Sequence, residues 1–249
     1  MASKFPQSLR LLLGSGGFRT EERISNLVRE MRSHFGDISE LLFLPFALHD
    51  YDDYVSTINS RGLNAGYNLV GLHKFEDPKK AIREAQGIFI GGGNTFRLLR
   101  TLYDMDLIDL IRERAHNGLP ILGVSAGLNV CCPTICTTND MPITFPPSFA
   151  GLGLFPYQVN PHYINPPRDA NFFGETRQDR LLQFQEENPD SIVIGLPEGG
   201  ILSVRNGVCS LIGASIDVFA CRNSTAASNR IVTIDPCNDL FDAQVFKES

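Results

Sequence analysis

The chain has 249 residues, 43% of them hydrophobic and 20% charged, which suits a folded chain with a sizeable core and excludes a disordered or fibrous one. Its net charge of −6 comes with no basic stretch to track phosphates and no tryptophan, so nucleic-acid and membrane-surface binding have little support. Six cysteines show no Cys-x-x-Cys spacing and no histidines at metal-ligand intervals; they read as reduced, mostly buried thiols of a cytoplasmic protein, with no metal and no cofactor implied.

No low-complexity tract, charge block or internal repeat divides the chain, so a single domain over residues 1–249 is expected. Leu9-Arg10-Leu11-Leu12-Leu13 is too short for a secretory core, and no run reaches the ~20 apolar residues of a membrane span. Leu9 to Leu13 reads instead as a first strand. Thr20 to Phe35 follows as a helix with Ile24, Leu27, Val28, Met31 and Phe35 on one face. A strand at Leu41 to Pro45, a helix around Asp52 to Ser60 and a strand at Asn68 to Leu72 come next. Asp77-Pro78 opens a short helix to Ala85, aspartate accepting from the orphan N–H groups and proline standing where no donor is needed.

Gly87 to Ile90 is a buried strand that ends in Gly91-Gly92-Gly93-Asn94-Thr95, ahead of a helix through Leu98, Leu99 and Leu102. Three glycines at a helix start let backbone N–H groups approach a ligand closely. A helix from Leu107 to Asn117 closes at Gly118 and delivers the chain to Ile121-Leu122-Gly123-Val124, a strand that breaks at Ser125-Ala126-Gly127 into another helix. A serine at such a turn projects its hydroxyl beyond the strand, beside free backbone N–H groups, as acyl transfer requires; a plain turn serine is the competing reading. Pro133 argues against a helix that would bring Cys132 and Cys136 together. Further on, Gln178 to Glu187 is predicted helical. Strands are predicted at Ile192 to Leu196, at Ile201 to Arg205 and Val208 to Ile212 around an Asn206-Gly207 turn, and near Ile231 to Ile234. The alternation predicts an α/β fold: a doubly wound, mostly parallel sheet with a β-rich C-terminal part, binding its ligand beyond the strands' carboxyl ends.

A serine nucleophile needs a base. His34, His73 and His116 sit in amphipathic or polar contexts read as surface, while His49 stays in play. His162 lies in the proline-flanked stretch Val159 to Pro167, where a stiff loop would position a base or merely pack a ring. Glu198, between Pro197 and Gly199-Gly200 after a buried strand, is either the group that orients the imidazole or a solvated loop residue. The order Ser, His, Glu differs from the Ser, Asp, His order of α/β-hydrolases and argues against a lipase or esterase.

Six blocks in the same order, Gly91 to Phe96, Gly123-x-Ser125-Ala126-Gly127-x-Asn129, Thr137 to Pro142, Asn160-Pro161-His162, Gly174 to Arg177 and Gly195 to Gly199, closely resemble peptidase E, the α-aspartyl dipeptidase family. The likeness runs from about Leu11 to Gly213; the stretch from Ala214 matches poorly. It implies a fold akin to class I glutamine amidotransferases and hydrolysis of dipeptides with an amino-terminal aspartate. Ser125 is then the nucleophile, His162 the base and acid, and Glu198 the orienting carboxylate.

Gly92, Gly93 and Ala126 are expected to form the oxyanion hole, and Asn94, Asp140 and Arg177 to hold the substrate. Arg177 would take the aspartate side chain, or else pair with Asp179; Asp140 would take the free amine, or else cap a turn. Val124 stands where the family commonly has an aromatic residue. Small dipeptides are the expected partners, without nucleic acid or membrane, and a homodimer is left open. The rival readings are a β-aspartyl or cyanophycinase-like specificity, an acyl-amino-acid hydrolase, and a noncatalytic metabolite-binding module on the same scaffold. A glutamine amidotransferase is disfavoured because its nucleophile would be cysteine.

Overall fold

The computed structural model describes residues 5–164, 174–221 and 229–247. Its elements run β1 (Leu11–Gly14), α1 (Glu21–Phe35), β2 (Glu40–Leu44), α2 (Tyr51–Ser60), β3 (Asn68–Gly71), α3 (Pro78–Glu84), β4 (Ile88–Ile90), α4 (Thr95–Asp104), α5 (Ile108–His116), β5 (Ile121–Val124) and α6 (Ala126–Cys131). They continue with β6 (Gln158–Pro161), α7 (Arg177–Glu187), β7 (Val193–Leu196), β8 (Ile201–Arg205), β9 (Val208–Ile212), β10 (Ile216–Cys221), β11 (Asn229–Ile234) and α8 (Gln244–Lys247). Asn165, Pro166 and Pro167, the distal flank of the loop that carries His162, lie outside the described residues.

Helix starts follow local chemistry. Thr20, Asp50, Asp77 and Asn94 each accept a backbone N–H of the first turn of α1, α2, α3 and α4, and Thr176 forms a reciprocal capping box with Asp179 at α7. Each such cap is worth about 1 kcal/mol.

Seven strands form one sheet in the order β3-β2-β4-β5-β1-β8-β9, parallel from β3 to β1 and antiparallel from β1 through β9. Its central strands are apolar at nearly every position because both faces are covered. Leu11, Leu13, Leu42, Leu44, Ile88, Ile90 and Ile121 point into one core with Leu98, Leu99 and Leu102 of α4 and Ile108 and Ile111 of α5. The alternate residues Leu12, Leu41, Phe43, Phe89 and Leu122 pack against Leu27, Met31 and Phe35 of α1 and Ile58 of α2. The two-residue period of a strand thus feeds two separate cores from one continuous hydrophobic run. Burial of each such side chain contributes roughly 2 kcal/mol. The architecture is the α/β fold with a mostly parallel sheet and a β-rich C-terminal part that the element order predicts.

A second sheet, β11-β10-β7-β6, was not separable from the first in the sequence pattern. Its strand β10 went unpredicted. It pairs with β7 across the intervening β8–β9 hairpin, so no local turn announces it. The hairpin itself turns through Asn206 and Gly207 with φ of 51° and 75°, the left-handed pair that an Asn-Gly turn supplies.

One histidine contradicts its expected setting. His34 is fully buried at the end of α1 rather than on the surface, with its ring edge-on to Phe35. Its spacing from Leu27 and Met31 places it on the helix's apolar face, and that spacing overrides its polarity. His49 and His116 are exposed, and His73 bonds Asp52 at 2.9 Å. Among the described side chains, Cys131, Cys132 and Cys209 are buried free thiols whose proton affinity burial raises; Cys136 is exposed. Nothing is described of the Cys221 side chain.

Candidate active site

β4, β5 and β1 end side by side, Ile90 paired with Gly123 and Gly14 with Val124. Gly91, Ser125 and Ser15 therefore leave the sheet at one edge. Ser125 itself has φ 55° and ψ −108°, a conformation that costs a residue with a side chain of the order of 1–3 kcal/mol and persists only where packing enforces it. The enforcing contact is Gly127: a Cβ there would lie 2.1 Å from the Ile90 carbonyl oxygen. α6 can start this close to β4 only with glycine at that position. Ser125 occupies the N-cap of α6 yet makes no capping bond with its hydroxyl. Its Oγ lies instead 2.9 Å from His162 Nε2. By its place in the first turn, the Ala126 N–H has no intrahelical acceptor.

His162 and Glu198 come from the other sheet, and register brings them together. β6 and β7 are parallel neighbours with Pro161 opposite Leu196, so the residues just past each strand end emerge together. His162 Nδ1 and Glu198 Oε1 are 3.2 Å apart. With the Nδ1 proton donated to the carboxylate, Nε2 is left to accept from the Ser125 hydroxyl, a tautomer assigned from the network. Three side chains far apart in the chain thus form one continuous line of hydrogen bonds.

Two residues that the sequence did not single out tie the sheets together at this point. Ser15, fully buried after β1, donates its hydroxyl proton to the Leu196 carbonyl at 2.9 Å and accepts the His162 N–H at 2.8 Å. Beyond it, Gly16 and Gly17 lie flat against the site: a Cβ on Gly16 would be 2.6 Å from His162 Cε1, and one on Gly17 would be 2.4 Å from Glu198 Oε2. The signal available was Gly14-Ser15-Gly16-Gly17 directly after the first strand. Arg23 of α1 bonds the free oxygen of Glu198, Oε2, at 3.2 Å.

The expected substrate residues fall around the same edge. Asn94 caps α4 and donates through Nδ2 to the Met141 carbonyl at 2.9 Å. Asp140 Oδ2 accepts from Thr95 N–H at 2.7 Å and from the hydroxyls of Thr95 and Thr138 at 2.5 and 3.2 Å. Asp140 therefore meets the start of α4 through one oxygen. Arg177 is the first residue of α7 and is half-buried; among the described residues it has no ion-pair partner, and Asp179 is engaged in the capping box instead. Desolvation, then the neighbouring Arg180, lowers the proton affinity of its guanidinium, while Asp140 acts in the opposite direction. Gly92 packs on Ser125, and a Cβ there would be 3.1 Å from the serine Cβ. Burial pushes the Tyr54 phenol up to about 12, and the Gly92 amide beside it works against that rise. Among the described residues, no cluster of His, Cys, Asp or Glu is arranged to hold a metal ion.

Comparison with known proteins gives these features a family. Peptidase E of Haemophilus influenzae (strain ATCC 51907) is 41% identical over 207 residues, 82% of this chain and 94% of that protein. The protein named "Probable alpha-aspartyl dipeptidase" of Drosophila melanogaster is 46% identical over 178 residues, 71% of this chain and 74% of its own. Among solved structures, a peptidase from an acI-B1 actinobacterium superposes with a TM-score of 0.59 at 20% identity, over 91% of this chain and 96% of that one, which supports the fold. A protein from Listeria monocytogenes EGD-e does so with a TM-score of 0.63, also at 20% identity, over 83% and 98%. No helix among the described residues is long and apolar enough to cross a membrane. The sequence profile of Peptidase family S51 matches residues 10–212, which takes in every strand from β1 to β9 and the whole constellation around Ser125, so the chain belongs to peptidase family S51 and is a hydrolase of peptides.

Proposed function

We propose that the protein is a serine-type dipeptidase that cleaves dipeptides with an amino-terminal aspartate. The observation that carries this reading is the unbroken chain from Ser125 Oγ to His162 Nε2 and from His162 Nδ1 to Glu198 Oε1. Ser125 Oγ bonds to the carbonyl carbon of the aspartyl residue as its proton passes to His162 Nε2. The tetrahedral oxyanion is met by the Ala126 N–H and by the glycine turn. The second donor of that turn is the N–H of Gly92 or of Gly93, and Gly92 packs directly on the serine. Each such donor is worth about 3 kcal/mol in the transition state.

The carbon–nitrogen bond then breaks as His162 returns its proton to the departing amine, and water, deprotonated by the same imidazole, hydrolyses the ester on Ser125. Glu198 holds the imidazole in the tautomer that each step needs. Arg177 is the cation that selects aspartate. A half-buried guanidinium at a helix start, where the macrodipole disfavours it, gains most from a carboxylate held through two parallel bonds. The free oxygen of Asp140 takes the substrate's amino group, and Asn94, which caps α4 and bonds the Met141 carbonyl, helps to fix the substrate or supports the oxyanion loop. The name of the Drosophila melanogaster relative, "Probable alpha-aspartyl dipeptidase", points to the same substrate class.

Turnover of α-Asp-Leu, β-Asp-Leu and Ala-Leu by the purified chain tests the reading. Asp-Leu hydrolysis is expected to dominate, to vanish in Ser125→Ala and to lose its preference over Ala-Leu in Arg177→Ala. Preference for β-Asp-Leu would put the cyanophycinase-like specificity in its place. Undiminished hydrolysis by Ser125→Ala would remove the serine mechanism.

A further inference from the structure

We infer that Arg23 is the positioning residue that locks the Glu198 carboxylate onto His162, a role that rests on the hydrolase reading above. Glu198 sits on the loop after β7 with its side chain 44% exposed, so water competes for both oxygens. A carboxylate in that setting rotates freely unless something holds the oxygen that the imidazole does not use. Arg23 Nη1 does so: it lies 3.2 Å from Glu198 Oε2 and 3.2 Å from the Gly17 carbonyl oxygen, and its two protons serve both acceptors. Oε1 is then left facing Nδ1 of His162. Among the described residues, His162 and Arg23 are the ionic partners of Glu198.

The surroundings are shaped for this clamp rather than for a casual surface pair. A Cβ on Gly199 would lie 2.9–3.0 Å from Nε, Cδ and Cγ of Arg23, and one on Gly17 would strike the Glu198 carboxylate. Both glycines also hold positive φ, 68° at Gly17 and 83° at Gly199, and the Gly199 N–H donates to the Gly16 carbonyl at 2.9 Å. The arginine stem therefore lies directly on one loop's backbone while its head group bonds the other. Arg23 occupies the third position of α1, where a cation opposes the helix dipole and follows Glu21 and Glu22. Placing it there costs α1 a little stability, and the return is a fixed carboxylate.

An isolated exposed ion pair contributes little to stability, so the clamp shows in turnover rather than in melting temperature. The experiment compares Arg23→Ala, Arg23→Lys, Glu198→Gln and the Arg23→Ala/Glu198→Gln double variant in Asp-Leu hydrolysis, with kcat and KM determined separately for each. Arg23→Ala is expected to lower kcat about tenfold with KM within about twofold, the effect of one charge-assisted hydrogen bond partly screened by solvent. Arg23→Lys should recover part of that loss, since it restores the charge but not the paired bonds. In the Glu198→Gln background the Arg23→Ala step should cost less than about twofold, because the carboxylate it positions is gone. Full kcat in Arg23→Ala, or an equal loss with and without the Glu198 carboxylate, would overturn the inference while leaving the hydrolase reading intact. If Glu198→Gln alone left turnover unchanged, the role assigned to Glu198 would fail, and this one with it.

Discussion

Ser15 shows how one hydroxyl can hold two sheets in register at a reacting centre. It is the last link between β1 of the large sheet and the paired ends of β6 and β7, donating to the Leu196 carbonyl and accepting the His162 N–H. The backbone of His162 sits at φ 53°, a conformation that a residue with a side chain keeps only where its surroundings hold it. Removing the hydroxyl in Ser15→Ala leaves a buried N–H and a buried carbonyl each one partner short. The expected cost is about 1–3 kcal/mol in denaturant unfolding. A fall in kcat should accompany it, as the imidazole loses the bond that fixes its backbone. An unchanged denaturation midpoint together with an unchanged kcat would show that the hydroxyl is not the strut described.

At the scale of elements, the decisive contact is the approach of α6 to β4. The Cβ of an alanine at 127 would overlap backbone atoms of Ile90 that belong to a central strand and cannot move aside. Gly127→Ala should therefore cost roughly 3 kcal/mol or more and abolish turnover, as overpacking against an immobile partner does. Gly62→Ala is the matched control. Unlike Gly127 it has a positive φ, 67°, but nothing lies within 4 Å of the added methyl, so only backbone strain of about 1 kcal/mol is expected. Equal losses in the two variants, read by thermal melting, would mean that close approach is not what the glycine supplies.

The same elbow explains what the sequence disclosed. Gly123-x-Ser125-x-Gly127 and Gly91-Gly92-Gly93 were legible because glycines mark backbone geometry locally. His162 and Glu198 stand out as candidates by their proline and glycine surroundings, but only family likeness decides between the open readings, since their meeting depends on the Pro161–Leu196 register between strands far apart in the chain. Ser15 is marked only by the glycines around it, Gly14-Ser15-Gly16-Gly17, and Arg23 by nothing: serine and arginine have no local signature for a bond made across a fold. Asp140 reads in the sequence as a substrate ligand or a turn cap, and the bonds of its Oδ2 to Thr95 at the start of α4 depend on a contact 45 residues away that no local pattern announces.

Across the whole molecule, the site stands at the seam of two sheets, and its stability depends on the helices that clamp the larger one. His34 is the weak point of that clamp toward acid. It lies at the end of α1, fully buried, and neither ring nitrogen has a hydrogen-bond partner. Arg10 donates to its carbonyl from the segment before β1, and Arg205 of β8 reaches Ser33 and the Glu30 carbonyl on the same helix. Burial first, and then the charges of Arg205 and Arg10, push its pKa down from 6.5 to about 3, with the nearby Ile121 backbone acting in the opposite direction. The folded protein thus holds His34 neutral while the unfolded chain protonates it below 6.5. The sign follows: this contribution to stability is complete above pH 6.5 and is lost as pH falls from there toward about 3, near tenfold in the folding equilibrium per unit. His34→Leu keeps the apolar packing of the helix end and removes the titration. Between pH 7 and pH 5 the native protein should lose on the order of 2 kcal/mol more than the variant in urea unfolding. Parallel pH profiles for the two proteins over that interval would show that the imidazole is charged, or solvated, inside the fold.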